Sequence, residues 1–145
     1  MTRSRTRRRT APESYFGVPL ANRTDAARLA VNLRARFGTY HAVALLGEDG
    51  TIVHLWALTD PGHRITDAAQ VGLLSAPGHP PVISGYLLSG RPEASVAVAE
   101  ADLEDWRALR SRYAAAGLTL VDWLVTSPAG VRSLALTEGP AGKAS

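Results

Sequence analysis

Apolar residues change their spacing repeatedly along this chain, and each change marks an element. Leu29, Leu33 and Phe37 recur every fourth position with Ala26 and Ala30 beside them, which predicts an amphipathic helix over about 25–37. Thr24 supplies the N-cap, Asp25 favours the first turn and Gly38 the stop. Tyr40 to Leu46 is β-prone, Gly47-Glu48-Asp49-Gly50 reads as a turn, and Thr51 to Leu58 resumes the strand pattern, so a hairpin follows. In its second arm Ile52, His54, Trp56 and Leu58 share one face and Val53, Leu55 and Ala57 the other. Two mostly apolar faces imply a sheet covered by helices.

Asp60-Pro61-Gly62 breaks the chain. Thr66 or Asp67 then caps a short helix over Ala68 to Leu74, which Pro77, Pro80 and Pro81 end. Val82 to Leu88 is a third strand, followed by a loop at Ser89-Gly90-Arg91-Pro92. Leu103, Trp106, Leu109 or Arg110, Tyr113 and Ala116 follow a helical period over about 99–116, with Glu104, Arg107 and Arg112 toward water. Leu118 to Val125 and Val131 to Leu136 are two more strands around a turn at Ser127-Pro128-Ala129-Gly130. The expected fold is α/β (α+β), a single mixed β-sheet flanked by helices, over residues 23–137. Residues 1–22 are expected to form a disordered Arg-rich arm, and 138–145 a disordered tail.

Composition narrows this further. The 145 residues suit one domain, and 46% hydrophobic with 20% charged is ordinary for a globular chain. No cysteine is present, which removes disulfide scaffolds and thiolate metal sites. The net charge of +3 is local in origin. Of 16 basic residues, Arg3, Arg5, Arg7, Arg8 and Arg9 crowd the first nine positions; without them 11 basic residues face 13 acidic ones, a net of −2. Lys143 is the only lysine, as a GC-rich coding sequence would give, so the preference for Arg is uninformative. With no apolar run of membrane-spanning length and no apolar core after the basic start, the expectation is a cytoplasmic protein with no membrane partner.

From about Thr39 to Leu136 the chain resembles RadC-type JAB/MPN domains. Those domains begin with a hairpin like Tyr40-His-Ala-Val-Ala-Leu-Leu and Gly50-Thr-Ile-Val. A helix follows, then a strand running into His-x-His-Pro-Ser-Gly, a Ser-x-x-Asp helix start, a segment like Gly-Ile-x-Leu-Leu-Asp-His-Ile-Val and a short strand with Val-Ser. Here Ala116-Gly117-Leu118-Thr119-Leu120-Val121-Asp122-Trp123-Leu124-Val125 fits the fifth piece, and Val131-Arg132-Ser133-Leu134 the last. Ser89-Gly90-Arg91-Pro92 fits the loop, and Ala99-Glu100-Ala101-Asp102 fits the helix start in its final residue. The resemblance implies a JAB/MPN (cytidine-deaminase-like) layout. It also implies a zinc held by two histidines and the aspartate, with a glutamate near the first strand to activate bound water.

The departures matter more. The histidine positions are Gly85 and Leu87, neither of which offers a lone pair; the proline position is Leu88 and the glutamate position falls near Thr39. Asp102 alone cannot hold zinc. No metal and no cofactor are therefore expected, nor catalytic residues of the family's kind. His41, His54, His63 and His79 lack ligand spacing on a helix, though His41 and His54 can face each other across the hairpin. Asp122 reads as a hydrogen-bonded structural carboxylate, and Trp56, Trp106 and Trp123 as core.

Three functions follow as expectations. The first is a catalytically inactive RadC-like module that acts as a binding or assembly scaffold for a protein partner or a second copy of itself. The second is an accessory protein of DNA repair or mobile elements, holding DNA or RNA phosphates through Arg3, Arg5, Arg7, Arg8 and Arg9. The third is a hydrolase with a rearranged site at Asp102 or Asp122.

Overall fold

The computed structural model describes residues 8–10 (backbone only), 15–92 and 98–138. In chain order the elements are β1 (Arg8–Thr10), α1 (Arg23–Phe37), β2 (Tyr40–Leu46), β3 (Ile52–Leu58), α2 (Ile65–Ser75), β4 (Ser84–Gly90), α3 (Glu100–Ala115), β5 (Thr119–Ser127), β6 (Gly130–Ser133) and α4 (Leu134–Glu138). The strands form one mixed sheet in the order β1-β3-β2-β4-β5-β6. Only β4 and β5 run parallel, and the α3 crossover joins them; every other neighbouring pair is antiparallel.

The two apolar faces of the hairpin are both used. On one side α1 covers Tyr40, Ala42, Ala44, Leu55, Ala57, Tyr86 and Leu88 with Leu29, Ala30 and Leu33. On the other, α2 and α3 cover Val43, Leu45, Leu58, Leu87, Trp123 and Val125 with Ala68, Ala69, Trp106, Leu109 and Tyr113. The expected alternation along β3 holds from Leu55 to Leu58. It breaks at Ile52, because a bulge between Leu45 and Leu46 turns that side chain to the α1 face.

Several boundaries differ from expectation. Residues 15–22 are built into the fold rather than belonging to an arm: Leu20 is buried, the Gly17 N–H donates to Ile52 O at 2.8 Å, and Pro19 bridges Thr51. Asn22, not Thr24, caps α1, its side chain accepting from the Asp25 N–H at 2.9 Å. The third strand runs two residues later than its apolar run suggests, from Ser84 to Gly90, with Ile83 just before it already donating to Leu46 O at 2.9 Å. The last strand stops at Ser133 and the chain turns helical, so the expected strand to Leu136 is replaced by β6 and α4. Glu138, expected in a loose tail, ends α4 and binds α3; residues 139–145 lie outside the described residues.

Candidate functional site

Ligand sites in open α/β sheets gather at the carboxyl ends of parallel strands, which here means the end of β4. Register pairs His41 of β2 with Ser89 of β4 on the α2–α3 face. His41 Nδ1 lies 2.8 Å from Ser89 Oγ, and the Trp123 indole N–H of β5 donates to the same oxygen at 3.0 Å. The indole uses one serine lone pair, which leaves the hydroxyl proton and a second lone pair, so Ser89 can pair with the imidazole in either tautomer. Burial, and then the nearby Arg91 cation, lower the His41 pKa to about 4.

One residue beyond β4, Arg91 donates to Asp102 Oδ1 at 2.9 Å in a pair only 22% and 17% exposed. The other carboxylate oxygen of Asp102 accepts the Ala99 N–H at 3.0 Å and so caps α3. Both oxygens are thus engaged. The preceding Gly90 has no room for a side chain, since a Cβ there would meet Gly38 O and the Tyr40 ring at 2.6 Å.

The residues assigned to the degenerate metal motif do not gather here. Leu87 is fully buried in the core under α2 and α3, four positions before Arg91, or roughly 13 Å along a strand. Gly85 lies further back, where a Cβ would approach Ala44 O to 2.8 Å, so an imidazole has no room. Leu88 faces α1, and Thr39 is exposed in the turn before β2. His41 and His54 are not cross-strand partners, since His41 pairs with Leu58 and His54 with Leu45. His79 is exposed, while His63 Nδ1 is buried without a partner among the described residues. No group of three His, Asp or Glu side chains among the described residues is arranged to grip a metal. Arg3, Arg5 and Arg7 lie outside the described residues; Arg8 and Arg9 belong to β1, paired through its backbone to Leu58 and Ala57.

Asp122 forms a second polar centre on the opposite face. It is fully buried, and one oxygen accepts from Trp123 N at 2.7 Å and Ala135 N at 2.9 Å. The other accepts from Ser133 Oγ and Arg23 Nε, each at 2.5 Å. Four donors saturate a carboxylate. This one ties the start of α1 to β5, β6 and α4, as expected of a structural aspartate. Trp106 and Trp123 are buried as expected, whereas Trp56 is partly exposed.

The chemistry open to these centres is limited. Ser89 and His41 have the separation of a nucleophile and its base, but Ser89 is fully buried and its oxygen already accepts an indole proton. Asp122 has no free lone pair for a substrate or proton, and each oxygen of Asp102 already accepts one hydrogen bond. The His41–Ser89–Trp123 network was not foreseen in the sequence. Its signal was a polar residue one position inside the start of β2 and the end of β4, with Trp123 in the middle of β5, and finding it required the register. No family model matches the chain, and no curated protein is recognisably similar to it.

Proposed function

We propose that this chain is a non-catalytic module of the RadC-type JAB/MPN kind, working through binding rather than peptide hydrolysis. The observation that carries the reading is the Arg91–Asp102 pair. The resemblance gives Asp102 the place of a zinc ligand, and here a guanidinium from the preceding loop satisfies that carboxylate. An arginine stays charged at any physiological pH and neutralises a carboxylate without offering an open coordination position for water.

Other features support the same reading. The order hairpin, helix, strand, helix opening near the aspartate, strand and short strand is the one the resemblance leads one to expect, although Ser89 and Gly90 of the expected loop end β4. Asp122 and Ser133, matched separately in the fifth and last pieces, are hydrogen-bonded to each other. The test is zinc analysis of the purified chain together with a peptidase assay. Substoichiometric zinc, unchanged in Asp102→Ala, and no cleavage are expected. One zinc per chain with cleavage that Asp102→Ala abolishes would overturn the reading.

A second reading, in which the chain is held on DNA or RNA, is favoured by the five arginines within residues 3–9. Phosphate contacts of this kind release counterions, so binding should fall steeply with salt. Replacing Arg3, Arg5, Arg7, Arg8 and Arg9 by Gln should remove it. Undiminished binding by that variant would exclude the arm as the contact.

A further inference from the structure

The sheet ends at β6, and among the described residues no strand pairs with its outer side. The phase of its hydrogen bonds fixes what that side offers. Arg91 N donates to Thr126 O at 2.8 Å, so Thr126 turns its backbone toward β4 and away from β6. Its partner across the hairpin, Val131, therefore sits in a non-hydrogen-bonded pair, while Gly130 and Arg132 spend their N–H and C=O groups on Ser127 and Val125. Both polar backbone groups of Val131 point out of the sheet. The amide of Ser133, two residues on, has the same phase. Beyond it the chain leaves the edge as α4, which Glu138 ties to Trp106 of α3.

Native proteins guard such edges with proline, lysine or a bulge. β6 is short, but it contains no proline or lysine and its register with β5 is unbroken. Val131 is 36% exposed and Leu136, just past the strand, 66% exposed, so large apolar side chains stand open to water here. The register also assigns the faces. Arg132 pairs with Val125 and stands on the α2–α3 side, whereas Val131, opposite Thr126, stands on the α1 side.

We infer that β6 is the seam of a two-fold dimer, in which it pairs antiparallel with β6 of a second copy, centred on Val131. A centre on Gly130 or Arg132 is closed, because their backbone groups are already used inside the chain. At Val131 the two copies exchange both hydrogen bonds, and the amide of Ser133 comes opposite Ala129 of the second copy. The two Val131 side chains meet on the α1 side. Each Arg132 falls opposite a glycine, Gly130, so no like charges face each other; a pair centred on Arg132 would oppose two guanidinium groups. The occupant is a second copy because this one strand supplies the donor, the acceptor, the apolar contact and the glycine that its own arginine needs, all in a single register. The opposite edge offers no substitute. β1 contains Arg8 and Arg9 and follows Arg3, Arg5 and Arg7, so pairing it with β6 would gather cations. The assembly closes at two copies. This inference rests on strand phase and not on the family reading.

Sedimentation equilibrium of the full chain should give the mass of two copies, unchanged as concentration rises, and hydrogen exchange should find the Val131 and Ser133 amides protected. Val131→Glu and Val131→Lys each set like charges across the dyad on an exposed side chain. Each should keep the native circular dichroism, run as a monomer and lose protection at the residue 131 amide about tenfold or more. Mixed in equal amounts, the two variants should re-form a dimer, because only a seam that sets residue 131 against itself lets glutamate meet lysine. A parent chain that sediments as a monomer, or whose Val131 amide exchanges freely, would overturn the inference however the variants fold. So would a dimer that survives Val131→Glu, which would place the contact elsewhere, or a mixture of the variants that stays monomeric.

Discussion

At the scale of single residues, the buried polar side chains on the sheet's strands are few, and Ser89 and Asp122 among them are engaged in hydrogen bonds. Asp122 is the clearest case, with two side-chain and two backbone hydrogen bonds on one enclosed carboxylate. Asp122→Asn keeps the shape but loses the charge facing Arg23 and must turn an amide N–H₂ toward donors. A loss of about 3 kcal/mol in unfolding free energy is expected, measured by urea titration. A change below about 0.5 kcal/mol would mean that the carboxylate is not the anchor its contacts imply.

His41 gives a prediction of opposite character. Its ring is kept neutral by burial and by Arg91, with Arg64 and His63 acting in the same direction and Asp67 against them. The folded-state pKa of about 4 lies below that of a free imidazole, so the unfolded chain takes up the proton first. This contribution is complete above about pH 6.5 and is lost as pH falls toward 4, at most about 3 kcal/mol and less to the extent that water reaches the ring. Melting temperatures between pH 7 and 4.5 should fall more steeply in the parent than in His41→Gln, which has no proton to take up there. The sequence exposed the histidine but not this role, because the role depends on a cross-strand serine 48 positions away.

At the scale of elements, the pattern of apolar positions was legible wherever one period ran long enough. Leu29, Leu33 and Phe37 marked α1, and Trp106, Leu109 and Tyr113 marked the buried face of α3. The hairpin was legible to the residue in β2. Legibility failed where side chains outside the element decide its limits. Nothing in Val131 to Leu136 announces a switch from strand to helix; it occurs where Asp122 accepts the Ala135 N–H and Ser133 Oγ accepts the Leu136 N–H, which fixes the first turn of α4. The end of α4 is then secured by Glu138, which accepts from Trp106 Nε1 and Arg107 Nε at 3.0 Å and from Arg110 at 3.1 Å. Glu138→Ala leaves the Trp106 N–H without its partner. It should cost about 1–2 kcal/mol and speed amide exchange in α4 while leaving α1 unaffected. Uniform acceleration across both helices would show that α4 is not a separately held latch.

At the scale of the whole molecule, the expectation of one mixed sheet between helices holds, because both faces of the hairpin were apolar and a chain of 145 residues has few other ways to cover them. Among the described residues no helix is long and apolar enough to cross a membrane. The site was less legible than the fold. Asp102 and Asp122 were identifiable as carboxylates out of the ordinary, but their partners Arg91 and Arg23 are ordinary surface-type residues in the sequence, 11 and 99 positions distant. Only the folded register brings them together, so charge neutralisation by arginine could not be anticipated from residue types alone.

The strand β1 carries a last consequence. It occupies the outer edge of β3 opposite Trp56, Ala57 and Leu58. Amputating the first ten residues, the obvious way to ask what the arginines do, would also strip that edge and leave a bare row of amides and carbonyls beside an apolar strand, a template on which a second molecule can build. The shortened chain should therefore self-associate as its concentration rises, visible as growing light scattering, whereas the full-length chain with those arginines changed to glutamine should not. Monodisperse behaviour of the shortened chain would show that β3 tolerates solvent at its margin.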